Sequence, residues 1–130
     1  MSQEQDGNKG ALFYDTYALY AIAMGQQGYA RYAKGFRILT TLMNVYELYY
    51  SLCKEGAKDL AEAYFLRLQS CCVQFDPETV RNAALFRLKN MSHKFSYIDC
   101  LGYAVAREHK VPFLTGDKEF RDMHSVEFAK

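Results

Sequence analysis

The chain has 130 residues, of which 50% are apolar, 24% charged and 15% aromatic, with a formal net charge of +1 at pH 7. That length holds one domain with its own core and excludes two of ordinary size, and the composition is globular rather than disordered. No apolar run approaches the roughly 18 to 20 residues that a membrane helix needs, and a net charge near zero excludes a global field that would draw the chain onto a polyanion.

The opening MSQEQDGNKG (residues 1–10) is polar and has no apolar segment, so it reads as a flexible tail and not a secretory leader. A single domain is expected over 11–130. ALFY is a short apolar run that stops at Asp15, and TYALYAIAMG shows helical spacing ending at Gly25; a strand running into a helix opens an α/β unit. GYARYAKG reads as a short helix and FRILTT as a second strand. LMNVYELYYSLCKEG is a helix on which Val45, Leu48 and Leu52 recur at three and four, closed by Gly56. AKDLAEAYFLRLQS continues as a further helix, and CCVQF reads as a third strand. In DPETV, Asp76 caps and Pro77 opens a helix that runs to about residue 90. After NMSHKFS, the helix YIDCLGYAVAREHK feeds the strand VPFLT, and a short strand, SVEF, follows the turn at Asp117. This order predicts an α/β domain: a mostly parallel sheet of about five strands, covered by helices on both faces.

In such a sheet the strands end on one edge, where the following loops and helix starts cluster and where open α/β folds build their sites. Asp15 and Asp117 each follow a strand, Glu47 lies in an early turn of the helix after the second strand, and Asp99 lies in the first turn of the helix that feeds the fourth. Four carboxylates from four segments are thus expected on one edge. Glu47 and Asp99 sit within apolar and aromatic sequence, NVYELYY and SYIDCLGYAV, with no Lys or Arg three or four residues away. Buried acids are paired or ligate a metal, and mutually repelling carboxylates suit Mg²⁺ or Mn²⁺, which prefer oxygen ligands. Each acid alone has a second explanation: Asp15 as a helix cap, Asp99 as a first-turn acid favoured by the helix dipole.

The four cysteines, Cys53, Cys71, Cys72 and Cys100, form neither a CxxC pair nor a metal knuckle and stand in apolar surroundings. That usage predicts buried thiols in a reducing compartment, hence a cytoplasmic protein.

The acid-bearing segments FYDTYAL, TTLMNVYELYYSL, SYIDCLGYAVA and FLTGDKEF, in this order on this framework, resemble the PIN-domain family of nucleases, most closely the VapC-like toxins. The likeness covers about residues 12 to 128. It implies a three-layer α/β/α sandwich and a metal-dependent endoribonuclease in which Asp15, Glu47, Asp99 and Asp117 hold Mg²⁺ or Mn²⁺. Thr115 matches the family's hydroxyl ahead of the last acid, and Glu119 matches a further acid found in some relatives. Asn44 lies one turn before Glu47 on the same face, with a substrate role and a backbone-bonded amide both open. Tyr17 departs from the family, where a small serine is frequent after the first acid and its threonine.

The resemblance further implies an RNA substrate, a homodimer and a cognate antitoxin protein whose C-terminal segment occupies the acidic groove. Basic residues near the acids are candidates for phosphate contact: Lys89 and Lys94, in an acid-free stretch with Arg81, Arg87 and His93, and Lys118 with Arg121 on the other side. A solvated helix face explains the same charges. Tyr46, Tyr49 and Tyr50 read as a subunit interface, with base stacking as the alternative. A receiver-type phosphotransfer protein would need an acid pair after the first strand, and an aspartyl phosphatase a second aspartate two places after Asp15, where Tyr17 stands. An inactive PIN-like binding module and an RNA-processing PIN nuclease outside any toxin pair remain as alternatives.

Overall fold

The structure, a computed structural model, describes residues 8–130. In chain order it runs β1 (Ala11–Tyr14), α1 (Thr16–Ala23), a 3₁₀ turn (Gln27–Tyr32), β2 (Arg37–Leu39), α2 (Leu42–Lys54) and α3 (Lys58–Leu68). A 3₁₀ turn (Gln69–Cys71), α4 (Pro77–Lys89), α5 (Tyr97–Glu108), β3 (Phe113–Thr115), a 3₁₀ turn (Lys118–Phe120) and β4 (Val126–Phe128) complete it. The sheet is parallel throughout, in the order β2-β1-β3-β4.

The period-two alternation of the central strands divides the core into two. Leu12, Tyr14 and Leu114 pack on one face against Leu19 of α1, Val45, Leu48 and Leu52 of α2, and Ala61 and Leu68 of α3. Phe13 and Phe113 point to the other face, against Cys100, Tyr103 and Val105 of α5, Ala83 of α4 and Phe120. This is the expected three-layer α/β/α sandwich. On the second face α5 comes so close that a Cβ on Gly102 would stand 2.9 Å from the Phe13 ring, so only glycine lets the helix lie at this depth.

Two elements differ from the sequence reading. The sheet has four strands and not five: of CCVQF only Cys72 pairs, as a parallel bridge to Thr40 held by Thr40 N–H to Cys71 O and Val73 N–H to Thr40 O. The 3₁₀ turn before it and the Asp76 cap with Pro77 after it leave no length for a ladder. The short helix expected at GYARYAKG is a 3₁₀ turn, in which the three-residue spacing of Tyr29 and Tyr32 sends both rings into the core. The tail expected over 1–10 falls mostly outside the described residues; at 8–10 the chain is already tied in, Lys9 N–H donating to Gly35 O at 2.9 Å. Cys71 and Cys100 are buried, Cys53 and Cys72 half-buried, and none of the four is in a disulfide. Among the described residues no helix is long and apolar enough to cross a membrane.

Candidate functional site

β1 and β3 lie side by side at the centre of the sheet, so their carboxyl ends deliver Asp15 and Asp117 to neighbouring positions. Asp15 is the N-cap of α1: its Oδ1 accepts the Ala18 N–H at 2.8 Å, and its own N–H donates to Leu114 O at 3.2 Å. The Thr115 hydroxyl stands between the two acids. It hydrogen-bonds the Asp15 carboxylate and accepts the Asp117 N–H at 3.0 Å. Asp117 in turn accepts the Glu119 N–H at 3.0 Å. Asp99 forms a capping box at the start of α5, its Oδ2 accepting the Ser96 N–H at 2.8 Å while Ser96 Oγ accepts the Asp99 N–H at 3.0 Å. Capping and site-building are therefore one arrangement: each of these three acids is fixed by an N–H of its own turn.

The fourth acid is oriented differently. Glu47 Oε1 accepts the Thr16 hydroxyl at 2.7 Å; Thr16 Oγ1 accepts Asn44 Nδ2–H at 3.2 Å; Asn44 Oδ1 accepts the Thr41 hydroxyl at 2.6 Å. Asn44 is 1% exposed, so its amide has no water to turn to and the chain of donors has a fixed direction. Asn44 thus supports Glu47 through Thr16. Thr16 was legible only as a first-turn residue of α1, because its partners lie on another helix.

Electrostatics ties the set together. Asp15 is 2% exposed, and burial pushes its carboxyl up to about 8; the hydrogen bonds from Thr115 and Ala18 oppose this, and Asp99 and Asp117 add repulsion. Burial also raises Asp99, opposed by Ser96, with Asp117 and Glu47 adding to the rise. None of the four forms an ion pair among the described residues, where the ion pairs are Arg81–Glu78 and His93–Glu119.

Asp15, Asp99 and Asp117 open into a groove of about 520 Å³ between α1 and α2, whose other walls include Tyr17, Tyr20, Gln26, Tyr50 and Lys54. Glu47 lines an adjoining recess that shares Thr16, Tyr50 and Ser51 with the groove. Residues 47, 50/51 and 54 recur at three and four along α2, a periodicity that places Lys54 on the groove face. The seven-residue step from Glu47 to Lys54, two helical turns, carries this signal in the sequence.

The remaining candidates are dispersed. Glu119 turns away from the groove and holds the 90–96 loop, accepting the Lys94 N–H at 3.1 Å and meeting His93 Nδ1 at 3.2 Å; these contacts hold its carboxyl below the usual glutamate range. Lys94 and Lys118 are exposed, on that loop and in the turn after Asp117. Lys89 lines a separate cavity with Tyr103, Arg107 and His124. Arg81 pairs with Glu78, and Arg87 donates to Phe95 O and lies over the Tyr97 ring. Of the three tyrosines read together on α2, Tyr49 bonds Glu62 and packs on Phe65, whereas Tyr50 faces the groove.

A parallel α/β sandwich with acids gathered at its carboxyl edge defines the class of protein. Residues 12–125 match the family model described as PIN domain, and the chain belongs to that family. No curated protein matches the sequence. Among solved structures, Mycobacterium tuberculosis VapC20, described as a sarcin-ricin loop cleaving toxin, is 18% identical with a TM-score of 0.76, covering 92% of this chain and 99% of that one. VapBC2 of Rickettsia felis, solved with a DNA fragment from its promoter, is 18% identical at a TM-score of 0.68, covering 92% and 99%. A toxin-antitoxin complex from Klebsiella pneumoniae is 15% identical at 0.69, covering 89% and 95%. At such identities the likeness is one of fold.

Proposed function

We propose that this PIN domain is a divalent-cation-dependent endoribonuclease, the toxin of a VapBC-type toxin-antitoxin pair, working in the cytoplasm. The observation that carries the reading is the Asp15 carboxylate, buried without an ion pair in one groove with Asp99 and Asp117. A fold keeps such a group for chemistry more readily than for stability. The toxin-antitoxin setting of the structural neighbours supports the biological role.

The donor set fits Mg²⁺ or Mn²⁺. Asp15, Glu47, Asp99 and Asp117 offer oxygen only, and among the described residues no three His, Cys, Asp or Glu side chains draw into a closed cage. A hard cation that keeps several waters and takes one or two carboxylates needs no such cage. When bound, it supplies Lewis acidity at a phosphoryl oxygen and acidifies a water. The protein's own part is orientation. Backbone N–H groups hold Asp15, Asp99 and Asp117, Thr16 holds Glu47, and Thr115 separates Asp15 from Asp117. In hydrolysis a water oxygen bonds phosphorus, the P–O bond to the leaving ribose oxygen breaks, the acid edge accepts the water's proton, and the leaving oxygen takes up a proton from solvent. Lys94 and Lys118 flank this edge for phosphate contact; Glu119 acts through the loop that carries Lys94. A homodimer and a cognate antitoxin complete the assembly.

The test is cleavage of a panel of structured and single-stranded RNAs with Mg²⁺, with Mn²⁺ and with chelator, beside Asp15→Asn and Asp99→Asn. Cleavage that requires the cation and disappears in both folded variants is expected. Cation-independent cleavage, or equal silence of all three proteins together with no calorimetric cation binding, overturns the reading.

A further inference from the structure

Beyond the acids, the groove has a second character that hydrolysis alone does not require. Tyr17 and Tyr50 line it from opposite helices and are 51% and 62% exposed. Neither phenol makes a hydrogen bond among the described residues, and neither ring belongs to the core clusters. Tyr17 is nonetheless held in place. Its ring stands 6.4 Å from that of Tyr29, and a Cβ on Gly116 would meet it at 2.6 Å and the Tyr29 hydroxyl at 2.0 Å. The residue before Asp117 must therefore be glycine for Tyr17 to lie against the acid edge. Lys54 lies one turn beyond Tyr50 on the same helix face, its Nζ 6.0 Å from that ring, and forms no ion pair among the described residues.

We propose that Tyr17 and Tyr50 are stacking platforms for unpaired RNA bases in the groove, with Lys54 on a phosphate. The proposal rests on the nuclease reading and assigns residues of this chain to holding the substrate's bases. Exposed aromatic faces beside a cation are what single-stranded nucleic acid uses, since each base has a π-face whatever its identity. In a duplex both faces are already covered by neighbouring bases, so only a splayed base can enter. The two rings also explain how RNA is retained beside acids that repel its phosphates: the platform attracts the base, not the backbone. Tyr17, the departure from the small serine of many relatives, then acts as a specificity residue.

The experiment measures binding in the Asp15→Asn background, so that RNA stays intact, by anisotropy of a short fluorescein-labelled unstructured RNA and of the same strand annealed to its complement. Tyr17→Ala and Tyr50→Ala are each expected to weaken single-strand binding about tenfold or more. Tyr17→Phe and Tyr50→Phe, which keep the face and lose only the hydroxyl, should bind as the parent does and guard against misfolding as the explanation. Lys54→Ala should reduce the salt slope of log K by about 0.7. Alanine variants that bind within twofold of the parent, or a duplex bound as tightly as the single strand, overturn the proposal. If the wild type cuts RNA yet binding ignores both tyrosines, this inference falls and the nuclease stands. Tyrosine-dependent binding without cleavage by the wild type has the opposite meaning.

Discussion

Asp15 in the groove and Glu119 at the 90–96 loop lie near the same end of one sheet, in opposite surroundings. Glu119 has a backbone N–H from Lys94 and the His93 ring, and these partners pull its carboxyl below the ordinary range. Asp15 has hydrogen bonds too, yet burial and two other acids outweigh them and push it up to about 8. An acid surrounded by donors ties the chain together. One buried beside other acids costs the folded state free energy until something positive arrives. Both acids follow closely on a central strand in the sequence, and it is their neighbours that give them opposite titration behaviour.

Breaking the comparison at Asp15 should give the largest effect. Asp15→Asn is expected to lower RNA cleavage at least about a hundredfold, while thermal melting should find the cation-free variant at pH 8 no less stable than wild type. Adding Mg²⁺ at about a hundred times its dissociation constant should stabilise wild type at pH 8 by about 2.7 kcal/mol, and chelator should abolish the gain; the same titration on Asp15→Asn should show little of it. The pH dependence carries the same sign. A carboxyl raised from 3.8 to about 8 contributes stability that is present below 3.8 and lost as pH rises toward 8. Melting of the cation-free protein should therefore fall over that interval, and Asp15→Asn should flatten the fall.

Thr16→Val sharpens the contrast from inside the site. It removes the donor that fixes Glu47 and leaves the Asn44 amide one partner short. About 1 kcal/mol of stability and about a tenfold loss of kcat are expected, whereas Thr16→Ser should keep both, measured by urea melts and cleavage rates. Glu119→Gln is the smallest perturbation. It should leave cleavage close to wild type and remove a stabilisation that is present above the usual glutamate range and lost as pH falls through the lowered folded value. Melts of the two proteins should converge at acid pH.

The sequence disclosed the acids because their positions depend on local signals: a strand that stops at Asp15, a capping pattern at Ser96 and Asp99, a turn at Thr115, Gly116 and Asp117. Those signals also placed most helices correctly. What escaped was decided between segments. The Thr41–Asn44–Thr16–Glu47 chain joins two helices 28 to 31 residues apart in sequence, and no local pattern announces it. CCVQF has the composition of a strand, yet its flanking turn and cap leave room for one bridge only. The groove role of Lys54 lay within reach of a helical-spacing argument carried two turns instead of one.

The strand order also sets a timetable. β3 enters the sheet between β1 and β4, and Phe13 has to wait for Phe113 as its neighbour. Contacts so distant along the chain form late and slowly, so a nascent polypeptide carries Asp15 and Glu47 long before it can close the edge with Asp117. The acid edge is therefore the last part of the molecule to be completed, assembled only once the segment after residue 112 has joined the sheet.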